Sequence, residues 1–379
     1  MTTSDDALLD SAEVLAAADA GGMLRAIATA GAQLRQSARL AREAGVGRIA
    51  EDGRPRAVLA VGMGGSGIAG EIARAIAGQR CPVPVLASHA PTLPGWVGPT
   101  DLVFGVSCSG ATPEVLTAME EAVRRGCRVV TVGSERSPLA ALAEQARAIH
   151  VPVDACGRLP RANVWALSVP LLAALHVLGL AAVPDDVIES TADAVDALAA
   201  RLGPATPPAH NAAKKLAAEL AGALPVVWGS GEVSDAAAYR FACQLNENAK
   251  LPVLHGALPE IAHNQVVALD GPFAAAASEV DFFRDRVDEP DGRPAMRVVL
   301  LRDVVEDPYV AAQRKALVGV AERRATPVHE LVAEGDHPLE RLASLVVTGD
   351  LVSVYVALLQ GTDPTPIAPI DELKGRLGV

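Results

Sequence analysis

Ala57-Val58-Leu59-Ala60-Val61 runs without a break into Gly62-Met63-Gly64-Gly65-Ser66-Gly67, and a helical pattern follows over 68–77. A short aliphatic run, a glycine-rich turn and a helix make one strand–turn–helix unit. The same order returns further on. Residues 102–106 are aliphatic, Ser107-Cys108-Ser109-Gly110-Ala111-Thr112 is small and polar, and 113–125 reads as a helix. Strands also fit 83–87, 128–132 and 149–153, with a helix over 138–147. Strands alternating with helices predict an α/β fold around a doubly wound parallel sheet. In such sheets ligands bind where strands end and helices begin.

Composition agrees. Half of the residues are hydrophobic but only 3% are aromatic. The core must then be built from Ala, Val and Leu, which suits parallel strands buried on both faces. A chain of 379 residues is long enough for two domains. The pattern restarts late, with a helix over 210–221, a strand over 224–228, a turn at 229–231 and a helix over 235–249. A strand over 296–301 and a long helix over 338–359 follow, with an exposed loop at 285–293. The expected organisation is an N-terminal helical segment (1–50), a first α/β domain (51–155), a connection (156–208) and a second α/β domain (209–379). The connection comprises a loop, an apolar helix and a Pro-rich linker. The apolar run 164–183 could span a membrane by length. It contains Ser168, Pro170 and His176, so it is expected to be a buried helix at a subunit contact.

A net charge of −12 excludes a broad nucleic-acid surface, which needs clustered Lys and Arg. It leaves room for a small anion held by backbone N–H groups. The N-terminus Met-Thr-Thr-Ser-Asp-Asp lacks the cationic start of a secretory signal. The five cysteines have neither pairing nor metal-ligand spacing, which points to reduced thiols, a cytoplasmic protein and no metal.

Gly62-x-Gly64-x-x-Gly67 matches the dinucleotide fingerprint, but the second strand ends in Ala87-Ser88-His89 instead of the acidic residue that would bind a ribose. No cofactor is expected. Ser107, Ser109 and Thr112 offer three hydroxyls at a helix N-terminus, where amides and the helix dipole favour an anion such as a phosphate monoester. Elsewhere, Asn246-Glu247-Asn248-Ala249-Lys250 closes the helix 235–249. A Pro-containing connection, 251–258, leads to Pro259-Glu260-Ile261-Ala262-His263-Asn264. A carboxylate and an imidazole together can move protons near neutral pH. The spacing taken alone favours Glu247 as a helix-end residue and His263 as a satisfied surface one.

These motifs occur in one order, with Pro160-Arg161 between them and Gly-Asp-x-x-Ser-x-Tyr-x-Ala-Leu-Leu (349–359) and Ile-Asp-x-Leu-Lys (370–374) after them. Over 57–379 the series resembles the bifunctional phosphoglucose/phosphomannose isomerase family of the sugar isomerase (SIS) superfamily. The resemblance implies two SIS domains per chain, a homodimer whose partner elements complete each site, and sugar phosphate as the ligand. It implies interconversion of glucose 6-phosphate and/or mannose 6-phosphate with fructose 6-phosphate through an enediol, without cofactor or metal. Ser107, Ser109 and Thr112 match its phosphate turn, and Gly64, Gly65 and Ser66 its sugar turn. Arg161 matches an enediolate-stabilising arginine, Glu247 the proton-shuttling base, His263 a ring-opening residue and Lys374 a lysine reaching the cleft. The chain departs from the family pattern at Ala111, where Asn is usual, and at Gly157-Arg158-Leu159 before the Pro-Arg pair. A non-catalytic sugar-phosphate-binding or regulatory protein of the same fold is the alternative reading.

Overall fold

The computed structural model describes residues 8–274 and 294–377. The expected loop at 285–293 lies outside the described residues. The chain divides into two compact units, Thr29–Asp196 with Ile367–Val379, and Met1–Ala28 with Ala197–Pro366.

The first unit is built on five strands: β1 (Val58–Gly62), β2 (Val85–Ser88), β3 (Leu102–Ser107), β4 (Arg128–Gly133) and β5 (Ile149–Pro152). Their order is β2-β1-β3-β4-β5 and every pairing is parallel. The central strands β1 and β3 are buried at every position, which is why they read as unbroken aliphatic runs. Val58–Gly62 pair with Leu102–Val106, so the turns that follow both strands leave the same edge of the sheet side by side. The apolar run becomes a helix, Val164–Val177, buried over nearly its whole length. Ser37 Oγ donates to the carbonyl of Ala166 at 3.0 Å, which fixes the helix Ala30–Glu43 against it. The stretch that reads as a linker instead contains a helix, Asp185–Arg201, whose polar residues make an exposed face.

The second unit carries β6 (Leu224–Ser230), β7 (Leu254–Ala257), β8 (Met296–Arg302) and β9 (Val328–Val332) in the parallel order β7-β6-β8-β9. The connection read at 251–258 therefore holds a strand. Pro338–Leu359 is, among the described residues, the helix long and apolar enough to cross a membrane, and most of its residues are buried. It packs on the helices Glu232–Ala249 and Ala212–Leu220.

Candidate active site

In the first unit three turns meet. Ser66, from the turn after β1, accepts a hydrogen bond from the Cys108 amide in the turn after β3, at 3.2 Å. Gly65 lies against the backbone of the short 3-10 turn Pro160–Ala162. A Cβ added there would stand 3.0 Å from the Arg161 Cα and N, so glycine allows the close approach and a larger residue would push the two backbones apart by a few tenths of an ångström. Arg161 is 2% exposed.

The hydroxyl turn is compact. Ser107 Oγ lies 2.8 Å from Thr112 Oγ1 and 3.4 Å from Ser109 Oγ, and it accepts from the Gly110 amide at 3.0 Å. Thr112 is the N-cap residue of Pro113–Arg124, yet no side chain makes a capping bond there. Capping alone therefore does not explain the three hydroxyls. They converge at an uncapped helix start, the electrostatic setting that favours an anion.

Asn163 and Gln33, which belong to none of the motifs above, hold this arrangement. Asn163 is fully buried; its Nδ2 donates to the carbonyls of Arg158 (3.1 Å) and Leu159 (3.0 Å), and its Oδ1 accepts from Arg158 Nε at 2.8 Å. Gln33 Nε2 donates to the Ala162 carbonyl at 2.8 Å. The loop carrying Arg161 is thus tied down from both sides. Burial pushes the Cys108 thiol up, and the nearby Arg158 charge partly opposes this. The signal for Arg158 and Asn163 is tertiary, since each acts through a hydrogen bond across the loop that no spacing encodes.

Glu247 and His263 stand in the second unit. Glu247 is half-buried in the last turn of Glu232–Ala249. Its neighbours terminate the helix: Lys250 adopts a left-handed conformation (φ 58°), its Nζ donates to the Glu247 carbonyl, and Asn246 Nδ2 donates to the Leu251 carbonyl at 2.6 Å. Glu247 contributes, after burial, to raising the Cys243 thiol one turn earlier. His263 is exposed in the 3-10 turn Glu260–His263, which follows β7 and is packed on it. Lys374 is exposed on the helix Ala368–Leu377, which groups with the first unit and buries none of its residues. Gly64, Gly65, Ser66, Ser107, Ser109, Thr112 and the Arg161 backbone are therefore gathered in one unit, and Glu247 and His263 are carried by the other. Among the described residues no group of His, Cys and carboxylates has the arrangement of a metal site.

Residues 209–377 match the family model described as the bacterial phospho-glucose isomerase C-terminal SIS domain. The chain is 31% identical over 321 residues to a bifunctional phosphoglucose/phosphomannose isomerase of Caldicellulosiruptor bescii, covering 84% of this chain and 89% of that one. It is 32% identical over 334 residues to the protein of the same description from Aquifex aeolicus, covering 87% and 93%. Among solved structures, a hypothetical protein from Thermus thermophilus superposes with a TM-score of 0.71 at 14% identity, covering 98% of this chain and 94% of that one. Tagatose-6-phosphate ketose/aldose isomerase from Escherichia coli superposes at 0.63 with 16% identity, covering 90% and 92%. The structural likenesses show a shared α/β fold, and the family model gives an SIS domain over 209–377.

Proposed function

The chain belongs to the bifunctional phosphoglucose/phosphomannose isomerase family, and from that premise we propose that it is an aldose–ketose isomerase. It interconverts glucose 6-phosphate and/or mannose 6-phosphate with fructose 6-phosphate through an enediol. The carrying observation is the 31–32% identity, over most of the chain, to relatives named for this activity. That they are enzymes favours turnover over the non-catalytic reading. The cluster of Ser107, Ser109 and Thr112 at an uncapped helix start supports a phosphorylated substrate.

The chemistry assigns each residue type a task. The three hydroxyls hold the phosphate without adding charge, and Gly64, Gly65 and Ser66 bring backbone close to the sugar. Glu247 takes a proton from one carbon and returns it to the next, which one carboxylate can do in both directions. Arg161 supplies a fixed cation to the developing enediolate oxygen. His263 assists ring opening, and Lys374 completes the set. A homodimer fits the exposed stripe Ile370, Leu373 and Leu377, one apolar face of a helix that buries no residue of its own. Five free thiols fit a cytoplasmic, reducing setting.

The test is a coupled assay of purified protein with glucose 6-phosphate and with mannose 6-phosphate, before and after exhaustive chelation. Formation of fructose 6-phosphate that survives chelation is expected. Binding without turnover of either sugar would move the protein to the non-catalytic reading.

A further inference from the structure

The helix carrying Glu247 lies against Pro338–Leu359, and the contact contains more polar groups than packing requires. Gly349 allows a close approach: a Cβ there would stand 3.0 Å from the Phe241 ring. On Glu232–Ala249, Arg240, Gln244 and Asn248 recur every fourth residue, forming one stripe at 1%, 1% and 0% exposure. Arg240 Nη2 donates to Asp350 Oδ2 at 2.6 Å. Asn248 Nδ2 donates to Ser353 Oγ at 2.9 Å, and Ser353 Oγ donates in turn to the Asp350 carbonyl at 2.6 Å. Asp350 and Ser353 belong to the 349–359 motif, which the proposed chemistry leaves without a task.

Buried polar pairs carry a desolvation cost that apolar residues of the same volume avoid, and their best-attested use is to specify register. A contact of Ala, Val and Leu alone tolerates small rotations of a helix, whereas directional bonds do not. Asn248 directly follows Glu247, so fixing the rotation at Asn248 fixes the direction of the Glu247 side chain, about 100° away around the helix.

We propose that this ladder, Arg240–Asp350 and Asn248–Ser353, sets the rotation of the helix Glu232–Ala249 and so aims the Glu247 carboxylate. Asp350 and Ser353 are then positioning residues. The inference rests on the reading of Glu247 as the base.

The experiment compares kcat, KM and melting temperature for five variants assayed with glucose 6-phosphate or mannose 6-phosphate, whichever the wild type turns over. Ser353→Ala lowers kcat about 10-fold, the scale of a small misplacement of a catalytic group, and leaves KM within about twofold. Ser353→Thr keeps the hydroxyl and recovers most of kcat. Asn248→Ala reproduces the loss from the other helix, and adding Ser353→Ala to it costs nothing further, because one bond has been cut twice. Val346→Ala, buried on the same helix, lowers the melting temperature and leaves kcat unchanged. Glu247→Gln is inactive. Full kcat in Ser353→Ala and Asn248→Ala beside an inactive Glu247→Gln overturns the ladder alone. So does an equal loss of kcat in Val346→Ala. Full turnover in Glu247→Gln overturns the base reading and the ladder together.

Discussion

At the end of β3 the chain reads Ser107-Cys108-Ser109-Gly110-Ala111-Thr112 and enters a helix at Pro113. At the end of β8, third in its own sheet as β3 is in the other, it reads Arg302-Asp303-Val304-Val305-Glu306-Asp307 and enters a helix at Pro308. Strand end, turn length and the proline after the cap coincide; the chemistry does not. The first turn is uncharged and its helix has no side-chain cap. In the second, Asp307 caps its own helix, accepting from the Tyr309 and Val310 amides at 2.8 and 3.3 Å. Glu306 accepts from Ser230 Oγ at 2.7 Å and from Arg314 Nε and Nη2 at 2.9 and 3.0 Å. Asp303 takes Arg341 Nε at 2.6 Å. A helix start at the carboxyl edge of a parallel sheet is anion-binding by construction. Here one copy presents hydroxyls, and the other is filled by carboxylates of its own chain.

Arg314→Ala tests whether the second turn is purely structural. Both partners are largely buried, with side chains 6% and 9% exposed, so the substitution strands the Glu306 charge. Removing one partner of a buried pair typically costs about 3–5 kcal/mol. We expect a large fall in the urea midpoint with KM unchanged in protein kept folded, because the phosphate is assigned to the other turn. A KM that rises in step with the lost stability would contradict that division.

Glu247→Gln comes next. Gln keeps the shape but removes the proton acceptor. Turnover should drop roughly 100-fold or more, the scale of general-base catalysis, while a phosphosugar still stabilises the protein against heat. Normal turnover would rule Glu247 out as the base. Ser109→Ala is the converse experiment in the hydroxyl turn. Loss of a bond to a charged group costs roughly 1.5–3 kcal/mol, so KM should rise about 10-fold or more with kcat little altered. An unchanged KM would remove Ser109 from the phosphate site.

The strands read most closely in the sequence are those buried on two faces. β1 and β3 are read to within one residue because a central parallel strand must be aliphatic throughout. β7 and β9 escape, although the edge strands β2 and β5 of the other sheet are read. Leu254-His255-Gly256-Ala257 and Val328-His329-Glu330-Leu331-Val332 are partly exposed and carry His or Glu, so no aliphatic run marks them. The helix Asp185–Arg201 is hidden by acidic residues on its exposed face, among them Glu189, Asp193 and Asp196, which pair with Arg35 at 3.0, 2.5 and 2.8 Å. In the site, the three hydroxyls are visible as a motif. Arg158 and Asn163 act through contacts that exist only after folding.

Both units place a histidine at an edge strand against a carboxylate on the preceding helix. His89 follows the edge strand β2, and its Nε2 lies 3.6 Å from Glu71 on the helix after β1. His255, in the edge strand β7, has its Nε2 3.2 Å from Asp235 on the helix after β6. The first pair does one thing more: His89 Nδ1 lies 2.9 Å from the Gly62 carbonyl, at the base of the proposed sugar turn. The facing Glu71 carboxylate raises the His89 pKa above its ordinary 6.5, and the facing imidazole lowers Glu71 below its ordinary 4.5. A raised histidine stabilises fully below 6.5 and ceases to as pH climbs through its folded value. A lowered carboxylate stabilises above 4.5 and ceases to as pH falls through its own. The pair's contribution is therefore largest between the two ordinary values. The His89 side chain is 41% exposed, so solvent screening holds the contribution to about 0.2–1 kcal/mol. His89→Gln should lower the melting temperature most near pH ~5.5, with a difference that shrinks toward pH ~9. Because the Gly62 carbonyl belongs to the turn itself, the ratio of variant to wild-type KM should follow the same course. A melting difference independent of pH would show that the ring supports the turn by shape alone.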